Sequence, residues 1–271
     1  GNLIYDFSDA SEQRKNRSGG QFVDTTGLFN WPVGLDDVPL NDGPVQVVLG
    51  VASEESDGFY AVQGVRVDFN VVTKQDADLA TGAITMNFVL AGDTIGDAEL
   101  ASALDDAKLV IDEIYGDVGI TVSFTESEYV EGNLPPPGYG APADYLALSE
   151  GTDLGTVNVV FTQQIHGESD LLGISGGVPG PLGQHERSAV LISTLMNAGS
   201  DLVFDSVERD LLGETIAHEV GHYVGLFHPV EIADGACNQH DAPGDTENCD
   251  EQENCEEQLG RNLMFPYAIC S

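Results

Sequence analysis

The chain has 271 residues, with 46 Asp and Glu against 9 Lys and Arg, and a formal net charge of −37. So few cations cannot build the basic face that displaces phosphate counterions, which excludes nucleic acid as a partner. The same repulsion excludes an anionic membrane surface. At this length, with 41% hydrophobic residues, the chain can form one large domain or a domain with a smaller companion.

Residues 1–20 look irregular and hold a basic cluster, Arg14, Lys15 and Arg17, that reads as a solvated loop. Strand-like stretches follow at Val45–Ala52 and Phe59–Val72, where Val65, Val67, Phe69 and Val71 alternate with other residues. Residues 1–81 are therefore expected to be a β-rich N-terminal segment, either a pro-segment or an accessory domain. From residue 82 the pattern predicts a strand over Ala83–Leu90 and a helix over Asp97–Tyr115. The helix carries an apolar stripe of Leu100, Leu104, Ala107, Leu109, Ile111 and Ile114. Further strands are predicted at Ile120–Phe124, Thr156–Thr162 and Ala189–Ser193. Leu134–Ala143 reads as a Pro/Gly loop, and Gly173–Gly183 is a Gly-rich stretch. Strand, helix and several strands describe an α+β fold, a twisted sheet backed by helices.

A second long helix is predicted from Asp205 as N-cap, with Glu208 completing a capping box. Its apolar residues are Leu211, Leu212, Ile216, Val220 and Val224, and it should stop near Gly225. No apolar run approaches the ~18 residues that span a bilayer. Gly1 is not followed by a charged and apolar leader, read here as a signal peptide already removed. The charge suits a secreted protein in salt, where screening shortens self-repulsion. All four cysteines, Cys237, Cys249, Cys255 and Cys270, lie at the acidic C-terminal end with no Cys-x-x-Cys spacing. They read as two disulfides, formed in an oxidising compartment and clamping a loop-like segment; three connectivities are possible.

Residues 218–228 carry the chemistry. On a helix, residues i and i+4 are offset by ~40° and rise ~6 Å, so His218 and His222 project from one face. Two imidazoles so placed can reach one ion at about 2.0–2.1 Å, the Zn–N distance. Gly225 lets the chain leave the helix with φ > 0 and bring His228 back as a third ligand. Three neutral imidazoles leave a fourth position for water, as a catalytic zinc site requires. Glu219 lies about 100° round the helix from His218, positioned at the metal-bound water rather than the metal. It can take that water's proton as the water attacks a carbonyl and return it to the leaving nitrogen. His166, His185 and His240 have no comparable spacing and read as surface or loop residues.

This motif resembles the zinc signature of the metzincin metallopeptidases, and Met264, in Asn262-Leu263-Met264-Phe265-Pro266, falls where that clan places its Met-turn. The resemblance covers roughly residues 82–271. It implies a metzincin-like catalytic domain with a twisted mixed sheet, a backing helix, an active-site helix and a Met-turn. Within the clan the chain looks most like the pappalysin-type peptidases. The matching features are His218–His228, Leu171–Ser175 ahead of Ala189–Ser193, Asp245-Thr246, and four cysteines ending just past the Met-turn. That resemblance implies disulfides Cys237–Cys255 and Cys249–Cys270. It also implies calcium near Asp241–Glu257, whose eight carboxylates are the hard oxygen ligands that Ca²⁺ takes. The family usually places an oxyanion-holding tyrosine two residues after the methionine. Here that position is Pro266 and the tyrosine is Tyr267; Phe265-Pro266 is similar instead to the matrix metallopeptidase and adamalysin branches.

Together these readings describe a secreted, monomeric zinc endopeptidase that acts on protein or peptide substrates. The substrate would lie extended along an edge strand near Leu171–Pro179, as the clan's substrates do. The alternative is a non-catalytic extracellular binding module in which metal only holds the fold.

Overall fold

A computed structural model describes residues 52–55, 58–61, 63–64, 81–199, 201–233, 236–240, 246 and 248–266. Two compact units are present, Trp31–Ala77 and Gly1–Asn30 with Asp78–Ser271. The first contains an antiparallel pair, β1 (Ala52–Glu55) and β2 (Gly58–Ala61), in register from Ala52↔Ala61 to Glu55↔Gly58. The rest of the strand-like stretches, Val45–Val51 and Val65–Val72, lies outside the described residues, as does the basic cluster at Arg14, Lys15 and Arg17.

The second unit is built on a five-stranded sheet. In chain order its elements begin with β3 (Gly82–Ala91), α1 (Ala98–Gly116), β4 (Ile120–Tyr129), α2 (Pro142–Leu148) and β5 (Thr156–Thr162). They continue with β6 (Gly173–Ser175), β7 (Val190–Ser193), α3 (Thr194–Ala198), α4 (Ser206–Val224), β8 (Val230–Ala233), β9 (Ala236–His240) and α5 (Gln252–Leu259). The sheet order is β4-β3-β5-β7-β6, with β6 alone antiparallel to its neighbour. The expected mixed sheet backed by helices is therefore present. No helix is long and apolar enough to cross a membrane among the described residues.

Strand periodicity explains how two cores form. On one face Met86, Phe88, Val157, Val159, Phe161, Val190 and Ile192 pack with Leu104, Ile111, Leu212, Ile216 and Val220 of α1 and α4. The alternate residues Val89, Val160 and Leu191 face the other way and join Leu134, Tyr145 and Ile165. Covered on both faces, β5 reads as the nearly continuous apolar run expected of a buried parallel strand. The sequence placed β5 at its observed bounds, and β3, α1 and β7 within a residue at either end. β4 runs five residues beyond its predicted end, to Tyr129, as a largely exposed edge strand.

α4 carries the histidines, and several contacts fix it. The Asp205 carboxylate accepts from the Val207 and Glu208 N–H groups at 2.9 Å, and Glu208 accepts from the Asp205 N–H at 2.8 Å. Arg209 bridges to α1, pairing with Glu99 at 2.7 Å and Asp106 at 2.8 Å. The Tyr115 hydroxyl donates to the Ala217 carbonyl at 2.9 Å, one residue before His218.

Two expectations need correction. The acidic segment is not all loop, because Gln252–Leu259 forms α5. The disulfide joins Cys249 to Cys255, with Cα atoms 5.3 Å apart, rather than Cys237 to Cys255 and Cys249 to Cys270. The first turn of α5, with the Cys255 N–H bonded to the Glu251 carbonyl, brings Cys255 back within bridging reach of Cys249. Cys237 remains a free, buried thiol whose sulfur lies within 4.8 Å of both, and Cys270 lies outside the described residues.

The capping box makes a simple prediction. Asp205→Ala should destabilise the protein by about 1 kcal/mol, read from chemical denaturation midpoints. An unchanged midpoint would show that α4 is held by packing alone.

Candidate metal centre

α4 ends in a Schellman turn. Gly225 has φ 111°, its N–H donates to the His222 carbonyl at 2.9 Å, and the Leu226 N–H donates to the Gly221 carbonyl at 2.9 Å. A residue with a Cβ would be strained there, which is why glycine stands at this position. The reversal carries His228 back beside the helix. The His228 Nε2 lies 3.0 Å from the His222 Nε2 and 3.3 Å from the His218 Nε2. The sequence reading brought these three residues together, and the fold does so too.

Each ring's other nitrogen has an acceptor. The His218 Nδ1 lies 2.7 Å from the Leu263 carbonyl, and the His222 Nδ1 lies 2.7 Å from the Leu226 carbonyl. The His228 Nδ1 lies 3.1 Å from a Glu231 carboxylate oxygen. Acceptors on all three Nδ1 atoms put the proton of each neutral imidazole there and leave a bare lone pair on each Nε2. The His228 lone pair then faces those of His218 and His222 at hydrogen-bond distance with no proton between them. A shared cation resolves that repulsion. Tetrahedral donors at about 2.0–2.1 Å from one ion would be roughly 3.3 Å apart, which matches the observed separations. Nitrogen donors of this kind suit a borderline ion such as zinc.

Burial keeps the His218 and His222 rings neutral. Desolvation, countered in part by the Leu263 carbonyl and reinforced by His228, lowers the His218 pKa to about 4. Desolvation, with His218 and His228 nearby, lowers that of His222 to about 3. Beneath the rings the turn Asn262–Phe265 closes through a Phe265 N–H bond to the Asn262 carbonyl at 2.9 Å. It buries Met264 against Gly221, where an added Cβ would stand 2.6 Å from the sulfur and push the methionine aside. Tyr267 lies outside the described residues.

Glu219, the residue after His218 on α4, is buried. Desolvation raises its pKa to about 8, opposed by a hydrogen bond from the Ser175 backbone N–H. Ser175 belongs to β6, the edge strand opposite β4, which lies within Leu171–Pro179. The candidate base is thus tied directly to the strand expected to receive substrate. Sequence reasoning did not find Ser175, Leu226 or Leu263, whose parts are played by backbone groups that any residue carries. It also missed Glu231, three residues beyond His228, where a nearby carboxylate was the available signal.

The remaining histidines stay apart from this site. His166 lies in an exposed turn bonded to Asn133, His185 is in an exposed loop, and His240 ends β9. No group of carboxylates converges as a cation site among the described residues; Asp241, Asp245 and Glu247 lie outside them.

No family profile matches the chain, and no curated protein matches it. The solved structures that it is similar to include metallopeptidases. Metalloproteinase-II from Bacteroides fragilis is 16% identical with a TM-score of 0.36, over 57% of this chain and 45% of that one. This chain thus spans under half the length of that protein. Archaemetzincin from Methanopyrus kandleri is 19% identical with a TM-score of 0.34, over 54% of this chain and 76% of that one. A zinc-dependent peptidase from Methanocorpusculum labreanum is 13% identical with a TM-score of 0.32, over 52% and 82% of the respective chains.

Metal addition tests the convergence. Zinc at 100 times its dissociation constant should stabilise the metal-free protein by about 2.7 kcal/mol in a denaturant titration. His222→Ala should abolish most of that gain at the same zinc concentration. Equal stabilisation of both proteins would place the metal elsewhere.

Proposed function

We propose that this chain is a secreted zinc-dependent endopeptidase of the metzincin clan, closest to the pappalysin-type branch. The observation that carries the reading is the meeting of three imidazole Nε2 atoms beside a buried glutamate on the same helix. His218, His222 and His228 would hold the ion. When bound there, zinc would act as a Lewis acid that polarises the scissile carbonyl and acidifies water.

The protein's own groups supply the rest. Glu219 takes a proton from the attacking water and delivers it to the leaving nitrogen. Its burial suits the second role, because a carboxyl with a raised pKa holds its proton until a stronger base forms. The Ser175 N–H keeps that carboxylate aimed, and the outer side of β6, which pairs with no other strand among the described residues, can take an extended peptide by strand addition. The net charge of −37 favours substrates with basic side chains beside the scissile bond. Secretion is supported by the disulfide and by the acidic composition.

Digestion of casein with and without o-phenanthroline tests the activity. Glu219→Gln should retain zinc and lose roughly 10²–10⁴-fold in rate. Digestion that survives chelation, or a Glu219→Gln protein as active as the native one, would defeat the reading. A native protein that binds zinc and cleaves no peptide would instead indicate a binding module.

A further inference from the structure

The three imidazoles are not supported alike. Those of His218 and His222 bond to neutral carbonyls, whereas His228 faces a carboxylate, that of Glu231. Both members of this pair are largely shielded, with side chains 21% and 22% exposed. An anionic acceptor makes a stronger hydrogen bond to an imidazole N–H than a carbonyl does, and it increases the donor strength of the opposite nitrogen.

The local backbone is shaped to place this carboxylate. Pro229 follows His228, and Val230 is fully buried at the start of β8, in a core with Cys237, Cys249, Cys255, Leu259 and Phe265. β8 pairs with β9 regularly at Val230↔His240 and Glu231↔Gln239. The register then shifts between Glu231 and Ile232, so that Ile232 meets Cys237. Such an irregularity beside a site re-aims the side chain next to it. Here that side chain belongs to the residue touching His228.

We propose that Glu231 is a positioning residue for the metal centre, holding His228 as its Nδ1–H tautomer with Nε2 turned to the other two rings. Its negative charge also offsets the cation, which the three neutral imidazoles cannot do. The inference rests on the zinc reading above, but zinc affinity tests it without any peptide substrate.

The experiment compares native protein, Glu231→Gln and Glu231→Ala in competitive zinc titrations against a chromophoric chelator. Circular dichroism of each metal-free protein serves as the control for folding. Glu231→Gln should bind zinc about 10-fold more weakly and Glu231→Ala up to about 100-fold more weakly. Imidazole nitrogen NMR of the metal-free proteins should show His228 protonated at Nδ1 in the native chain and losing that preference in Glu231→Ala. A residue that merely supported the β8–β9 pair would not move the tautomer. Native-like zinc affinity in both variants would overturn the proposal, as would weakened binding explained by loss of fold in both. A native chain without zinc affinity would remove the metal centre and this proposal with it. A native chain that binds zinc yet cleaves nothing would remove only the peptidase reading, and the affinity comparison would still decide the role of Glu231.

Discussion

The His228 Nε2 lies within about one hydrogen-bond length of the His218 and the His222 Nε2, with no proton to share. Left alone, that arrangement is unfavourable twice over, because the lone pairs repel and the rings are removed from water. It persists because the fold holds each ring from behind. The Leu226 and Leu263 carbonyls and the Glu231 carboxylate take the Nδ1 protons. Burial keeps His218 and His222 from gaining second protons near neutral pH. Rings so held, with their Nε2 atoms converging, are organised to receive a cation.

The larger architecture serves that arrangement. α4 is fixed at its start by the Asp205–Glu208 capping box and joined to α1 by Arg209. Below the site Met264 closes on Gly221, so that the Leu263 carbonyl reaches His218. The cysteine-lined core is continuous with both supports, since it contains Phe265 beyond Met264 and Val230 before Glu231. The C-terminal segment is therefore a buttress for the histidines, although its acidic composition suggested a solvated loop. β6 holds Glu219 through a backbone amide, so this outer strand of the sheet and the candidate base keep a fixed relation.

Much of this was legible because it rests on side-chain identity and helical spacing. Asp205 and Glu208 announce the start of α4 and Gly225 its end; His218, His222 and His228 follow from an i, i+4 pair and a turn. The strands facing α1 and α4 were legible from runs of Val, Ile and Phe. What escaped was carried by groups without a sequence signature: the Ser175 N–H and the Leu226 and Leu263 carbonyls. The helix α5 was hidden because only Cys255 and Leu259 are buried along it, too sparse a stripe to stand out from an acidic run. Without that helix, the return of Cys255 to Cys249 could not be foreseen.

Diffraction from zinc-soaked crystals at the zinc absorption edge tests the central claim most directly. The account predicts a single strong anomalous peak equidistant from the Nε2 atoms of His218, His222 and His228, with Glu219 outside bonding range of it. Rings splayed apart with no peak between them, or a peak bound instead at the cysteine cluster, would contradict it.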